Sequence, residues 1–453
     1  MKVVIIGTNH AGIAAANTLL DNYKDIEVVM LDKNSNLSYL GCGTALWVGR
    51  QIPGNDGLFY TNQKDFEKKG AKISLETEVE NIDFDKKVVY ATNSKGEKVE
   101  ESFDKLILAT GSKPISPRIP GNDLDGLHFL KLFQEAQAVE EEFANEDVKN
   151  VAVIGAGYIG VEIAEAAKRR GKNVLLFDAA ETSLSSYYDP EFAKLMDKNL
   201  EEHGLELHFN ELATEYVGDE NGRVKQLVTN KGTYDVDVII NAIGFLPNAE
   251  LGKDDLELFQ NGAYLVDRTF KTSNPDVYAI GDCATNYSNA IQDTAYIALA
   301  SNAVRSGIVA AHNIGGTALE GAGIQGSNGI NIFKLKMVST GLSKKAAEVA
   351  GYEVGVSDLE DTQFPNFMPE NAKVKIRLVY DKITRRLLGA QLASEYDVSL
   401  VIHMFSLAIQ EGLTIDKLAL LDIFFLPHFN KPYNYITVAA LQANDETDLD
   451  SDL

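Results

Sequence analysis

The chain has 453 residues, 45% of them hydrophobic and 24% charged, enough for two or three domains that each bury a core. No stretch approaches the about 18 to 20 apolar residues of a helical membrane span, so an integral membrane protein is not expected. The formal charge of −24 opposes sequence-independent binding to nucleic-acid backbones, which leaves small-molecule chemistry, with no macromolecular partner legible in the charge.

Met1-Lys2 run at once into Val3-Val4-Ile5-Ile6-Gly7, too short an apolar run for a secretory signal, so a strand and a cytoplasmic location are expected. Gly7-Thr8-Asn9-His10-Ala11-Gly12 then opens a helical stretch from Ala11 to Leu20, and a second strand, Ile26 to Leu31, ends at Asp32. Strand, glycine turn, helix and strand with a terminal acid make a dinucleotide-binding unit, although Asn9 stands where its middle glycine belongs. Asn tolerates unusual backbone angles better than most residues.

Further on, Lys105 to Ala109 reads as a buried strand ending in Thr110-Gly111-Ser112-Lys113-Pro114. The opening grammar then returns. Val151 to Ile154 is a strand, Gly155-Ala156-Gly157-Tyr158-Ile159-Gly160 a complete GxGxxG, Val161 to Arg170 a helix, and Val174 to Phe177 a strand ending at Asp178. In that context Gly155 makes the turn, Gly157 admits a phosphate and Gly160 packs the helix, while Asp178 suits a ribose 2′-hydroxyl and repels a 2′-phosphate, favouring NADH over NADPH. Val236 to Ile243 and Gly244-Phe245-Leu246-Pro247-Asn248 repeat the strand and glycine turn, and Val277 to Ile280 is a strand whose Gly281-Asp282 could reach a ligand. From about Gly323 alternating strands such as Val374 to Val379 and a helix near Val401 to Gln410 mark a third domain, and Asp445 to Leu453 reads as a disordered acidic tail.

Two side chains carry candidate chemistry. His10 reads either as a solvated loop histidine or, because it opens a helix beside a cofactor turn, as a neutral donor or base in a positive field. Cys42, in Ser38-Tyr39-Leu40-Gly41-Cys42-Gly43 before a helical stretch holding Trp47, reads either as packing or as an exposed thiolate favoured by flanking glycines and a helix start. Cys283 beside Asp282 reads as packing near the cofactor. The two cysteines have no CxxC spacing and no Cys/His cluster, so neither structural zinc nor a disulfide is expected.

Taken in order, Gly7, Asp32, Cys42, Thr110 to Pro114, the second glycine fingerprint and Gly281-Asp282 resemble the pyridine nucleotide-disulfide oxidoreductase superfamily, nearly end to end. His10 with a lone Cys42 is similar to its NADH oxidase and NADH peroxidase branch, where a cysteine sulfenic acid replaces the CxxxxC disulfide; position 47 here is Trp. The runs Gly41 to Trp47, Tyr296 to Arg305 and Phe424 to Tyr435 favour the oxidase side, as does Val304, where peroxidases tend to place arginine. NADH peroxidase is the alternative, then coenzyme A disulfide reductase, whose C-terminal segment differs from Pro427 to Pro432; from another class, a flavoprotein electron-transfer reductase would not need Cys42.

The resemblance implies an α/β fold of two Rossmann-like domains, for FAD and NAD, plus a C-terminal α+β dimerisation domain. The segments expected are 1–115 and 249–323 for FAD, 116–248 for NAD, 324–445 for dimerisation and 446–453 as the tail. It implies FAD and NADH as cofactors, O2 or H2O2 as the other substrate, no metal, and a homodimer in which His428 or Phe429 reaches the partner's flavin. Cys42 and His10 would be catalytic. FAD would be held by Gly7, Asn9, His10, Ala11, Gly12, Asp32, Cys42, Val79, Thr110, Gly111, Ser112, Lys113, Gly281, Asp282, Ala300 and Ser301. NAD would be held by Gly155, Gly157, Ile159, Gly160, Asp178, Tyr187 and Gly244.

Overall fold

A computed structural model describes the backbone of residues 1–448 and the side chains of residues 1–443. The first apolar run becomes the central strand Lys2–Ile6 of a five-stranded parallel sheet, ordered Val277–Ala279, Lys105–Leu108, Lys2–Ile6, Glu27–Leu31, Lys72–Ser74. Alternate residues serve opposite faces. Val3, Ile5, Val28 and Met30 pack under helices His10–Asn22 and Ala300–Ile314, whereas Val4, Ile6, Val29 and Leu31 pack against Ile82 and Val89 of a three-stranded antiparallel cover. A parallel sheet buried on both faces needs continuous apolar runs, and these strands supply them.

The same architecture recurs with Asn150–Ile154 at the centre of a second parallel sheet, ordered Glu206–Phe209, Asn173–Asp178, Asn150–Ile154, Val238–Asn241, Leu127–His128. Helix Tyr158–Arg169 follows its glycine turn, and strands Ala213–Gly218, Val224–Thr229 and Thr233–Asp235 cover the other face. The apolar run expected to continue to Ile243 stops as a strand at Asn241, because Gly244 turns the chain at φ +109°. Phe245–Pro247 then pairs antiparallel with Ser112–Pro114, so the segments after two different sheets join as one ribbon between the nucleotide units.

The remaining strands form a five-stranded antiparallel sheet, ordered Asn328–Ile332, Leu335–Gly341, Leu387–Ser394, Lys373–Asp381, Val354–Thr362, with helices Ser399–Gln410 and Tyr435–Asp448 packed on it. Tyr435, Ile436, Ala439, Ala440 and Ala443 are buried at helical spacing and anchor the last helix. Its backbone runs through Asp448, so the first residues of the expected tail are helical, and residues 449–453 lie outside the described ones. Among the described residues no helix is long and apolar enough to cross a membrane, and no group of three or more metal-ligating side chains gathers.

Candidate active site

Both glycine turns sit where their strands end. Gly7 adopts φ +112° and a Cβ there would fall 2.1 Å from the Ala109 carbonyl oxygen; Gly155 adopts φ +101° and its Cβ would fall 2.3 Å from the Ala242 oxygen. Only glycine makes that approach without strain. Each terminal acid then holds its turn. Asp32 accepts from the Thr8 N–H (2.7 Å), the Thr8 hydroxyl (2.9 Å) and the Asn34 N–H (2.8 Å), while Asp178 accepts from the N–H groups of Ala156 (2.6 Å) and Ala180 (2.7 Å).

The residues present fit two dinucleotides. A Cβ on Gly157 would meet nothing within 4 Å, which leaves the open approach a pyrophosphate needs at the start of helix Tyr158–Arg169. In the first unit Asn9 accepts from the His10 N–H and caps helix His10–Asn22, so the missing middle glycine is replaced by a capping side chain. A cavity of about 40 Å³ opens beside Asp32, with Thr8, Asn9, Ser38 and Lys131 in its wall. A larger cavity, about 320 Å³, lies between helices Ala300–Ile314 and Ser399–Gln410; its wall holds no cysteine or histidine, so size and chemistry point to different places. The chemistry marks the site.

His10 is the first residue of its helix, and its Nδ1 lies 3.0 Å from the Tyr60 hydroxyl, the two rings stacked 5.6 Å apart. Burial pushes the imidazole below its ordinary 6.5, with Asp282 opposing and Lys131 assisting. Burial thus leads where the helix start was expected to. Tyr60 is pushed up to about 12, also by burial, so it stays a hydroxyl. When it donates to Nδ1, Nε2 carries the hydrogen and is left as a donor.

Cys42 lies in the single 3₁₀ turn Gly41–Gly43, ahead of the five-residue helix Thr44–Val48. The residue is exposed. Even so, burial pushes the thiol up, and the charges of Glu162 and Asp282 add to this, with Lys131 and a backbone N–H opposing. The expected thiolate-favouring environment is therefore corrected. So short a helix contributes little dipole, and Lys131 is engaged elsewhere: its Nζ donates to Ser112 Oγ (2.7 Å) and Asp282 Oδ2 (3.1 Å), while Ser112 donates to the same Asp282 oxygen (2.9 Å). Cys283 is wholly buried, its sulfur against the carbonyl oxygens of Ile280 (3.2 Å) and Leu108 (3.4 Å), as a packing residue should be.

Most of the predicted residues converge on the two turns. Gly281 at φ +73° lies against Ala11, Thr110 donates to the Asn248 carbonyl, and Ala300 and Ser301 open the helix packed over His10–Asn22. Ile159 is exposed beside Gly157, Gly12 and Gly160 approach the carbonyls of Gly7 and Gly155, and Gly111 and Gly244 both have positive φ. Two residues do not converge. Lys113 points to an exposed ion pair with Glu250 (2.8 Å), because it alternates with Ser112 along the ribbon, and the half-buried Val79 side chain packs against the core beneath the sheet.

Sequence reasoning missed Tyr60, Lys131, Tyr158 and Glu162. Tyr158 is edge-on to Tyr187 at 4.5 Å and shares a hydrogen bond with the Tyr188 hydroxyl at 3.0 Å. Glu162 had a legible signal, as a carboxylate inside the apolar run Ile159 to Ala167. Burial, then Glu165, pushes it up to about 7.

Residues 1–307 match the pyridine nucleotide-disulphide oxidoreductase family and residues 329–434 its dimerisation domain. The chain belongs to this family. Among its relatives, the NADH oxidase of Lactococcus lactis subsp. cremoris is 65% identical over 98% of this chain and all of its own length, and that of Streptococcus pyogenes serotype M6 is 54% identical over the same shares. The water-forming NADH oxidase of Lactobacillus brevis, solved with NADH bound, superposes with a TM-score of 0.96 at 37% identity, covering 99% of each chain. In the oxidoreductase fold of this chain, both parallel sheets lie within residues 1–307 and the antiparallel third sheet begins at Asn328, beside the start of the dimerisation-domain match.

Proposed function

We propose that this chain is an FAD-dependent NADH oxidase that reduces O2 to water, with Cys42 cycling between thiol and sulfenic acid. The observation that carries the cysteine's part is its isolation: Cys42 is solvent-accessible, Cys283 is buried elsewhere, and Trp47 stands where a disulfide partner would be. Relatives named NADH oxidase along their whole length support the overall reaction.

In this reading Gly7, Asn9, Asp32 and the Ser112, Lys131, Asp282 cluster hold FAD, and Gly155, Gly157, Gly160 and Asp178 hold NADH. FAD, when bound, supplies hydride acceptance from NADH and electron delivery to oxygen. The chain orients the two nucleotides, and His10 Nε2–H donates a hydrogen bond to the peroxide oxygen that departs when Cys42 sulfur takes the other. A second NADH returns the thiol. The segments expected from sequence stand as our domain assignment, and the enzyme is a cytoplasmic homodimer.

Measuring NADH consumed per O2 with and without catalase tests the reaction. Two NADH per O2, insensitive to catalase, is expected; one NADH per O2 with free peroxide would refute it.

A further inference from the structure

Resting on that reading, we propose that Tyr60 is a positioning residue for the peroxide step: its hydroxyl fixes which nitrogen of His10 carries the hydrogen and ties that histidine to the chain leading into Cys42. Three observations carry this. The first is the contact itself. The Tyr60 hydroxyl lies 3.0 Å from His10 Nδ1, and the two rings stack at 5.6 Å with their planes 7° apart. Ring against ring sets the plane of the imidazole, and the hydroxyl selects one of its nitrogens.

The second is the direction of the hydrogen bond. A phenol has one hydrogen to give, and among the described residues no acceptor other than His10 Nδ1 takes it. Were Nδ1–H the donor, the Tyr60 hydrogen would have no protein partner and Nε2 would be a bare lone pair. With Tyr60 donating, both groups are matched and Nε2–H is the free donor. Burial pushes Tyr60 up to about 12, so its hydrogen is retained throughout the neutral range. The charges that act on the imidazole, Asp282 and Lys131, are paired with each other (3.1 Å) and reach it as opposing fields, not as hydrogen-bond partners.

The third is how Tyr60 is held. The Ser38 N–H donates to the Thr8 carbonyl oxygen (3.0 Å), on the turn two residues before His10. The Ser38 hydroxyl donates to the Thr61 carbonyl oxygen (2.7 Å) and accepts from the Thr61 N–H (3.2 Å). Tyr39 pairs antiparallel with Phe59, and the Leu40 N–H donates to the Leu58 carbonyl oxygen (2.7 Å), so residues 38–40 and 58–61 are pinned together along their length. These contacts close a circuit from Thr8 through Ser38 and Thr61 to Tyr60 and back to His10. Ser38 is fully buried at φ +60°, a left-handed conformation that a side chain of this kind keeps only where its surroundings hold it. Cys42 follows two residues after Leu40. The aim of His10 is therefore set by the stretch of chain that delivers the sulfur.

The test uses the FAD-loaded full chain labelled with 15N-histidine and read by solid-state NMR above pH 6.5, where His10 is neutral. A bare ring nitrogen resonates far downfield of one that carries hydrogen, and the signals lost in His10→Gln identify this ring among the seven histidines. The unmodified chain should show Nδ1 bare. Tyr60→Phe, which keeps the ring and removes only the hydroxyl, should show both forms. A bare Nε2 in the unmodified chain overturns the proposal.

The kinetic arm mixes hydrogen peroxide with enzyme whose Cys42 has been reduced and traps the sulfenic acid with dimedone. Tyr60→Phe should slow its formation by about fivefold, the loss of one neutral hydrogen bond. The acid limb of the rate should move to higher pH, because neutral imidazole loses a donor that favours it. On the His10→Gln background the same change should cost nothing further, since Tyr60 acts through His10. A tyrosine that served only packing would leave the tautomer and the acid limb where they are. A Tyr60→Phe peroxide profile like that of the unmodified chain, or an undiminished effect on the His10→Gln background, overturns the positioning role. No sulfenic acid on Cys42 in the unmodified chain overturns the proposed reaction and with it any role in peroxide chemistry, and the ring nitrogens then decide on their own whether Tyr60 sets the tautomer.

Discussion

The chemistry of the site rests on single atoms, and the Cys42 sulfur is the first of them. Cys42→Ser keeps every nucleotide contact, so it should still bind FAD and consume NADH and oxygen, yet release about one hydrogen peroxide per NADH, since a serine hydroxyl has no sulfenic acid state. A catalase-coupled oxygen electrode reads this directly, and a variant that makes only water would remove Cys42 from the reaction. At His10 the prediction concerns pH. Because burial lowers the imidazole below 6.5, it is neutral at pH 7, and its Nδ1 can accept from Tyr60. Acidification through the lowered value adds a proton to Nδ1 and breaks that pairing. Peroxide turnover should therefore fall on the acid side below 6.5, a limb that His10→Gln should lose, together with about tenfold in rate, while stopped-flow reduction of the flavin by NADH stays close to normal. Asp178 decides between the nicotinamide cofactors. With its oxygens tied to the Ala156 and Ala180 N–H groups, it is fixed where a ribose would lie, and Asp178→Ala should narrow the kcat/KM advantage of NADH over NADPH by about tenfold or more.

Helix His10–Asn22 carries His10 at its start, and the packing along its length holds the site. It meets helix Ala300–Ile314 so closely that a Cβ on Gly307 would fall 2.4 Å from the Ala11 carbonyl oxygen and 3.0 Å from the Ala15 nitrogen. Gly307→Val should force the helices apart, destabilise the fold by about 1–3 kcal/mol and loosen FAD, seen as an earlier release of flavin fluorescence on heating. Unchanged release would mean that the contact is compliant. The sequence made the neighbouring elements legible for reasons of the same kind. Parallel strands buried on both faces need unbroken apolar runs, and Gly7, Asp32, Gly155 and Asp178 follow those runs at the spacing a dinucleotide turn requires. Tyr60 and Lys131 were not legible, because they reach the site from loops 50 and 121 residues away from His10, and no local period records such a meeting. The state of Cys42 was misread for a related cause. Flanking glycines report backbone freedom, whereas the pKa of the thiol depends first on burial and then on charges such as Glu162 and Lys131, all of which only the fold brings about.

For the whole molecule, the surface of the third domain carries the remaining argument. Leu400, Leu420, Phe424 and Tyr433 are 79%, 85%, 66% and 79% exposed, large apolar side chains on a domain whose family match is a dimerisation domain. Apolar surface of this kind is costly in water and marks an interface, and the fitting partner is a second copy of the chain. His428 and Phe429 lie exposed in the same segment, and in the proposed homodimer they would approach the partner's flavin. The double change Leu420→Asp and Phe424→Asp touches exposed side chains, of which Phe424 meets the likewise exposed Phe429 ring edge-on at 5.8 Å, so each protomer should fold and retain FAD. Light scattering should then report a 49.5 kDa particle in place of one of twice that mass. Oxidase activity should fall well beyond any loss of flavin, because each site would lack the segment its partner lends. The same dependence should appear in the unmodified chain on dilution, with specific activity declining as dimers dissociate. If monomeric protein keeps full activity, the partner's segment has no part in the reaction, and each protomer is a complete enzyme in itself.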